Sequence, residues 1–345
     1  MAAAAQQTRD SAVSLTRISA MLLIMICHTS GTSHIGMYIG TLTTVGISVF
    51  LMISGYLYGK RDVRPLPFLK KRYMSITFPA VVFVLAMAVY YWRHDPNPNI
   101  LPTVLLFVCN LQGANKIYSR IPSVTMGPGV LHLWFLTALM LCYLQMLAVK
   151  KVEKKHPVSR RSCYVLLAVS TVVVFAGGMM PYHIRFNLIQ IFFIGYWYAQ
   201  HNTGMNGKRF LLCSAATALG AIPVLLLLQY FPDSNWYVAF GYLWRNLLGI
   251  WIFFFYLYLR SEWPDKIDRL ASTRFVRHLD VLCYYLYIVH YIFSEGPFRV
   301  FDLSLPRPVQ LLAFAALTTV CAEILMALCK PVIRLATRPR PTKET

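Results

Sequence analysis

Charged residues, and acidic ones above all, are scarce in this sequence. Only 13 of its 345 residues are Asp or Glu, and the four charged residue types together make up 13%. Hydrophobic residues make up 57%, and the mean hydropathy is +0.53. A soluble domain of this length cannot bury so much apolar surface. The composition therefore excludes a wholly soluble protein and indicates one that lies largely in lipid.

The apolar runs also lack the in-and-out alternation of a transmembrane β-barrel. Residues 164–176 and 247–259 are continuously apolar, whereas barrel strands alternate lipid-facing and lumen-facing side chains. Because lipid offers no hydrogen-bond partners to the backbone, we expect helices instead. We predict an all-α polytopic membrane protein with a single membrane domain over residues 1–345. The ends, residues 1–10 and 336–345, are expected to be short and flexible.

The lengths of the apolar segments predict about ten transmembrane helices. A further apolar piece, residues 100–110, is short for a span and has polar residues at both ends, so we expect it to be re-entrant or interfacial. The predicted spans are residues 14–30, 42–58, 74–92, 131–149, 163–180, 186–200, 210–230, 240–259, 279–293 and 309–329.

The net charge of +20 is distributed as in a multi-pass membrane protein. Most Lys and Arg residues form short clusters between apolar runs, which favours the positive-inside pattern over nucleic-acid binding. The pattern predicts that both termini are cytoplasmic. If residues 100–110 crossed the membrane, the cluster at residues 150–161 would lie outside, against the rule. The clusters assigned to the cytoplasm are at residues 60–72, 150–161, 208–209, 260–277 and 330–343.

Several catalytic signatures are also missing. The eight cysteines form no CxxC pair, and no His or Cys spacing is typical of a metal site. No GxSxG nucleophile elbow is present. We therefore expect buried, reduced cysteines, no metal ion and no serine nucleophile.

The most informative stretch is residues 14–31, SLTRISAMLLIMICHTSG. Arg17 and His28 are 11 residues apart, so on a helix they project from one face, about 16 Å apart along the axis. Ionisable side chains within a membrane helix are costly, which makes this pair a candidate functional site.

Three further histidines, His132, His183 and His290, are predicted at the same outer level as His28. Histidine titrates near neutral pH and suits proton transfer. For each one, an alternative stays open in which it is only a hydrated interface residue. Arg245 lies within a predicted span, where it either pairs with an anion of the protein or faces a substrate.

In their order and spacing, these residues resemble the acyltransferase-3 family of integral membrane acyltransferases. Two departures from the family pattern are that Ser75 stands where a second Arg often follows Arg72, and that a glutamate common after HLW is missing. The resemblance is carried by R-x10-H (Arg17 and His28), VGISVFLMISGYLY (residues 45–58), HLWFLTALMLCY (residues 132–143), FFIGYWYA (residues 192–199) and YLYIVH (residues 285–290).

The resemblance implies transfer of an acyl group, commonly acetyl from acetyl-CoA, to a hydroxyl of a sugar or other acceptor. Acetyl-CoA would be the donor substrate, with no permanently bound cofactor. His28 is expected to be the general base, with His132 and His290 as further catalytic residues.

Six residues are expected to contact the substrates. A cationic group facing the cytoplasm suits the phosphates of CoA. We assign Arg17, Lys71 and Arg72 to the donor, and Trp134, Tyr285 and Arg245 to substrate or oxyanion contacts.

The implied setting is a multi-pass protein of the bacterial cytoplasmic (inner) membrane. The expected partners are acyl-CoA, the lipid bilayer and a glycan, namely a cell-envelope or exported polysaccharide or its lipid-linked precursor; nucleic acid is not expected. Two alternatives stay open: a transporter of glycans or acyl groups without chemistry, and an acyltransferase that acts on a small molecule.

Overall fold

A computed structural model describes residues 10–31, 34–95, 99–201 and 204–338. These residues form helices and contain no β-strand, only an isolated bridge between Tyr118 and Ile184. Within them, eight helical stretches are long and apolar enough to cross a membrane. The expectation of an all-α polytopic membrane protein is confirmed. The eight stretches are Ser11–Thr29, Ile35–Gly59, Pro65–His94, Pro128–Glu153, Arg160–Met179, Gly207–Tyr230, Asn235–Glu262 and Arg307–Thr337.

The helices are numbered in chain order. Tyr73–Thr77 is a π-helical turn that joins two of them, and Pro128–Trp134 and Val300–Asp302 are 3₁₀ turns. The α-helices are α1 (Ser11–Thr29), α2 (His34–Thr43), α3 (Gly46–Gly59), α4 (Pro65–Arg72), α5 (Phe78–His94), α6 (Ile100–Val108), α7 (Ala114–Ile117), α8 (Phe135–Glu153), α9 (Arg160–Met179), α10 (Phe186–His201), α11 (Gly207–Tyr230), α12 (Asn235–Glu262), α13 (Pro264–Ser272), α14 (Arg274–Val289), α15 (Tyr291–Ser294) and α16 (Arg307–Thr337).

Two of the ten predicted spans form shorter helices. α10 and α14 have 16 residues each, about 24 Å, so the total of ten stays a prediction. The apolar piece at residues 100–110 forms α6, which has nine residues. At about 14 Å, α6 is shorter than the hydrocarbon core of a bilayer.

Polar side chains define where several helices begin. Ser159, Asn206 and Ser234 each accept a hydrogen bond from a backbone N–H three residues later, at 3.0–3.2 Å. Such N-caps pair a donor that the first helical turn leaves free. They therefore start α9, α11 and α12 immediately after polar loops.

The helix ends with the basic clusters come together at one end of the bundle. Arg260 at the end of α12 pairs with Asp10 at the start of α1, at 2.9 Å. Lys150 near the end of α8 donates to the carbonyl oxygen of Gly59 at the end of α3, at 3.3 Å. We call this the basic end, which holds residues 60–72, 150–161, 208–209 and 260–277.

The last helix returns to the basic end. Arg307, at the start of α16, hydrogen-bonds the carbonyl oxygen of Thr29 at the far end of α1. His278 in the first turns of α14 pairs with Glu323, midway along α16. Both ends of the described chain therefore lie on one side of the bundle. The positive-inside rule predicts that this side is cytoplasmic.

The centre of the bundle is packed around a close crossing of α3 and α10. A Cβ added at Gly55 would lie 1.9 Å from the carbonyl oxygen of Phe192, and one at Gly195 would lie 2.1 Å from that of Met52. Small residues allow this approach of two backbones in a membrane. Helices α9 and α11 bury few side chains and are mostly exposed, as expected for surfaces that face lipid.

Candidate functional site

A cavity of about 360 Å³ lies at the end of the bundle opposite the basic end. Its wall is formed by the last turns of α1, the start of α3, α7, the 3₁₀ turn before α8, the start of α10 with the residue before it, the first half of α12, and the junction of α14 with α15. We call it the central cavity. Its polar lining side chains are His28, Thr44, Ser48, Lys116, His132, Trp134, Arg185, Asn187, Tyr242, Arg245, Tyr287 and Tyr291.

Three histidines from distant parts of the chain meet beside the central cavity. The ring centroids of His28 and His290 are 5.3 Å apart, and those of His132 and His290 are 5.0 Å apart. Tyr291 contacts both His28 and His132, at 4.9 and 4.8 Å. The structure thus brings together the three residues for which a catalytic role was predicted. His183, the fourth histidine of the outer level, instead lines a neighbouring cavity.

The backbone around His132 selects one tautomer of its ring. The Nε2 atom lies 3.0 Å from the carbonyl oxygen of Tyr287 and 2.9 Å from that of Ile288. Both partners are acceptors, so Nε2 must carry the hydrogen. In the neutral ring Nδ1 then keeps its lone pair, and this buried atom has no hydrogen-bond partner among the described residues.

His290 is held in the same way through its other nitrogen. Its Nδ1 lies 2.8 Å from the carbonyl oxygen of Tyr287 and donates to it. The side chain is fully buried, and its Nε2 has no partner within the described chain. Two imidazole lone pairs are therefore left without a donor beside His28. Such nitrogens can accept a proton or a hydrogen bond from a bound hydroxyl.

The predicted contact residues Trp134 and Arg245 both line the central cavity. Asn246, the neighbour of Arg245, donates to the carbonyl oxygen of Asn187 at 3.0 Å and to Gln190 Oε1 at 2.9 Å. These buried hydrogen bonds fix the rotation of α12 against α10. They help to set the face of α12 on which Arg245 reaches the cavity.

The predicted donor contacts lie elsewhere, toward the basic end. Arg17 pairs with Asp280 of α14. The Arg72 guanidinium lies over the rings of Tyr58 and Phe68, at 5.4 and 5.8 Å, and Lys71 is exposed.

Tyr285 does not line the central cavity. It is buried near Cys329 of α16. The tyrosines of this region that do line the cavity are Tyr287 and Tyr291. Neighbouring positions of a helix point about 100° apart, and the motif alone does not say which tyrosine faces inward.

Sequence reasoning also missed two cations of the site, Lys116 and Arg185. Arg185 lies over the Trp134 ring at 4.9 Å, and both cations line the central cavity. The sequence did offer one signal for these two residues: the segments predicted to lie outside hold few cations, so each cation there is unusual. No group of three His, Cys, Asp or Glu side chains in the described ranges is arranged to hold a metal ion.

Comparison with known proteins matches the chain to a protein family. No curated protein and no solved structure matches the chain significantly. A sequence model of the acyltransferase-3 family, described as an acyltransferase domain, matches residues 10–327, which span α1 to most of α16. This match covers nearly the whole chain, including all three histidines of the site. The protein therefore belongs to the acyltransferase-3 family of membrane acyltransferases.

Proposed function

We propose that the protein transfers an acetyl group from acetyl-CoA to a hydroxyl of a cell-envelope or exported polysaccharide, or of its lipid-linked precursor, in the bacterial inner membrane. The observation that carries the proposal is the cluster of His28, His132 and His290 beside a cavity that also presents cations. A sugar hydroxyl is a poor nucleophile, and a positioned base makes it usable.

In the proposed reaction His28 removes the proton of the acceptor hydroxyl. The oxygen attacks the thioester carbonyl, and a new C–O bond forms while the C–S bond breaks. The proton passes from His28 to the departing sulfur, which leaves as the thiol of CoA. Holding both substrates in one cavity contributes by orientation, because a positioned pair reacts as if at very high concentration.

Negative charge develops on the carbonyl oxygen as the tetrahedral intermediate forms. Donors that point at this oxygen lower the barrier. The Trp134 indole lines the cavity, and we propose that its N–H is such a donor. His132 and His290 are proposed to position His28 and the acceptor, since each keeps an unpartnered ring nitrogen in the same cluster.

The donor is proposed to enter from the basic end. CoA is a cytoplasmic polyanion, and the cluster at residues 60–72 offers cations to its phosphates. Arg72 suits this role, because its Nε has no hydrogen-bond partner among the residues described. Arg17 lies about 16 Å below His28 along α1, a distance that the pantetheine arm has to span.

The test is a variant that removes the base. His28→Ala should insert into the membrane and bind acetyl-CoA like the wild type, while release of the CoA thiol and acetylation of the glycan fall about 10²- to 10⁴-fold. His156→Ala is the matched control, since His156 is exposed in the loop between α8 and α9. Near-normal turnover of His28→Ala would contradict the proposed role. Glycan transport without thiol release by the wild type would favour a transporter.

A further inference from the structure

A second cavity adjoins the central cavity at the end opposite the basic end. It has a volume of about 420 Å³ and shares Lys116, Arg185 and Tyr242 with the central cavity. We call it the vestibule. Its other polar lining residues are Asn115, Ser119, Arg120, Ser123 and His183.

The two connected cavities present only one sign of charge. Lys116, Arg120, Arg185 and Arg245 line them, and no Asp or Glu does. None of these four cations is within ion-pairing distance of a carboxylate in the described part of the chain. Glu295 acts electrostatically on Cys27 and Tyr291 but lines neither cavity.

Without a bound anion, this group of like charges is unfavourable in free energy. Arg185 and Arg245 are half-buried and their charges repel each other. Burial, and to a smaller extent the charge of Arg245, lower the pKa of the Arg185 guanidinium. A cation that is withdrawn from water needs a counter-charge to recover the lost solvation. The planar forks of two arginines suit the oxygens of a carboxylate or a phosphate.

The position of these cations separates them from the donor. In the proposed function the CoA phosphates stay at the basic end, whereas Arg185 and Lys116 lie between the vestibule and the histidines. The Trp134 ring holds the Arg185 guanidinium in place at 4.9 Å. An anion bound there therefore belongs to the molecule that enters through the vestibule.

We propose that the acceptor carries an acidic group, a sugar carboxylate or a sugar phosphate, that binds to Arg185, Arg245 and Lys116 while its hydroxyl lies against His28. This inference rests on the proposed acyl transfer and adds the chemical class of the acceptor. Neutral glycans lack the group that compensates the half-buried Arg185 and Arg245, so they bind less tightly.

Binding to the protein in nanodiscs of neutral phosphatidylcholine tests the inference. Isothermal titration calorimetry would compare tetragalacturonate with its carboxyl-reduced neutral form, and glucose 1-phosphate with glucose. At least one acidic probe should bind about tenfold more tightly than its neutral partner, which is about 1.4 kcal/mol. The preference should shrink as the NaCl concentration rises. A preference for tetragalacturonate assigns a carboxylate, and one for glucose 1-phosphate assigns a phosphate.

Variants locate the site. Arg185→Gln and Arg245→Gln should each lose most of the preference, whereas Arg160→Gln, which removes an exposed charge at the basic end, should keep it. Arg185→Lys keeps the charge without the fork and should retain part of it. Absence of any preference in the wild type, including failure of all four probes to bind, overturns the inference. The inference is also overturned if Arg185→Gln and Arg245→Gln both keep the preference for the acidic probe.

Probe binding and release of the CoA thiol, measured on the same wild-type protein, distinguish this inference from the proposed function. If the wild type prefers the acidic probes but releases no CoA thiol with any glycan acceptor, the acidic site stands and acyl transfer fails. If thiol release occurs equally with acidic and neutral glycans, acyl transfer stands and the acidic acceptor is wrong.

Discussion

Arg17 of α1 and Asp280 of α14 form an ion pair in which the Asp280 side chain is only 1% exposed and the Arg17 side chain is 29% exposed. Ser14 also donates to Asp280, at 3.0 Å. The pair joins the helix that carries His28 to the helix that leads to His290. It therefore connects the two sides of the histidine cluster about three turns away from it.

Because Arg17 and Asp280 form a pair, we expect the effects of Arg17→Gln and Asp280→Asn on the free energy of unfolding not to add. Arg17→Gln breaks the ion pair with the buried Asp280 carboxylate, and the loss of one partner of a buried pair typically costs about 3–5 kcal/mol. Adding Asp280→Asn removes that charge, so the double variant should recover much of the loss. Thermal unfolding in detergent of the wild type, both single variants and the double variant would measure the coupling.

The same variants separate structure from donor binding. If Arg17 also guides CoA, the double variant should remain weak in acetyl-CoA binding even where its stability returns. Arg17→Lys should keep partial activity with a raised KM for acetyl-CoA. If Arg17→Gln/Asp280→Asn binds acetyl-CoA as the wild type does, Arg17 is an anchor between helices only.

At the crossing of α3 and α10, we expect the addition of a single methyl group to Gly55 to destabilise the protein. A Cβ at Gly55 would meet the Phe192 carbonyl oxygen at 1.9 Å, so Gly55→Ala forces the two backbones apart. Overpacking of this kind costs about 1–3 kcal/mol or more. The apparent Tm in detergent should therefore fall.

Gly207→Ala is the matched control for this prediction. Its added Cβ would lie no closer than 3.9 Å to any neighbouring atom outside its own helix. An equal Tm for Gly55→Ala and Gly207→Ala would show that the two helices do not cross as closely as described.

The sequence predicted the fold well because a membrane restricts the kinds of backbone structure that can cross it. Apolar length alone located α1, α11 and α16, since a spanning segment in lipid has to be a helix. It could not fix the number of spans, because α10 and α14 have 16 residues and their crossing depends on tilt and on neighbours.

The site was predicted less completely, because several of its contacts join residues that are far apart in the sequence. The sequence placed four histidines at one outer level, and only the structure shows that three of them meet whereas His183 lines the vestibule. Asp280 follows Arg17 by 263 positions, and no local pattern links them. Arg185 reaches the cavity from a loop through its stacking on Trp134, which the order of residues does not show.

The sidedness of the bundle can be measured directly. Ser119 and Ser159 are exposed in loops at opposite ends, with Ser159 at the basic end. A membrane-impermeant maleimide should label Ser119→Cys from outside intact cells and Ser159→Cys only after permeabilisation. Both variants need a Cys109→Ser background, because the Cys109 residue is itself exposed. Labelling of both positions from one side would contradict the predicted topology.

The hydrogen bond of His290 allows its chemistry to be tested apart from its packing. In His290→Asn the side-chain amide N–H takes the place of Nδ1–H and can still donate to the Tyr287 carbonyl oxygen, while the unpartnered Nε2 is lost. The apparent Tm should stay close to that of the wild type. If Nε2 takes part in proton transfer or positions the acceptor, thiol release should fall about 10²- to 10⁴-fold.

A second variant completes this test. In His132→Gln the amide N–H replaces Nε2–H toward the carbonyl oxygens of Tyr287 and Ile288, and the Nδ1 lone pair is lost. If both variants remain stable and lose acyl transfer, both lone pairs act in the reaction. If His290→Asn keeps full turnover and His132→Gln does not, His290 only packs against the cluster, and proton transfer involves His28 and His132 alone.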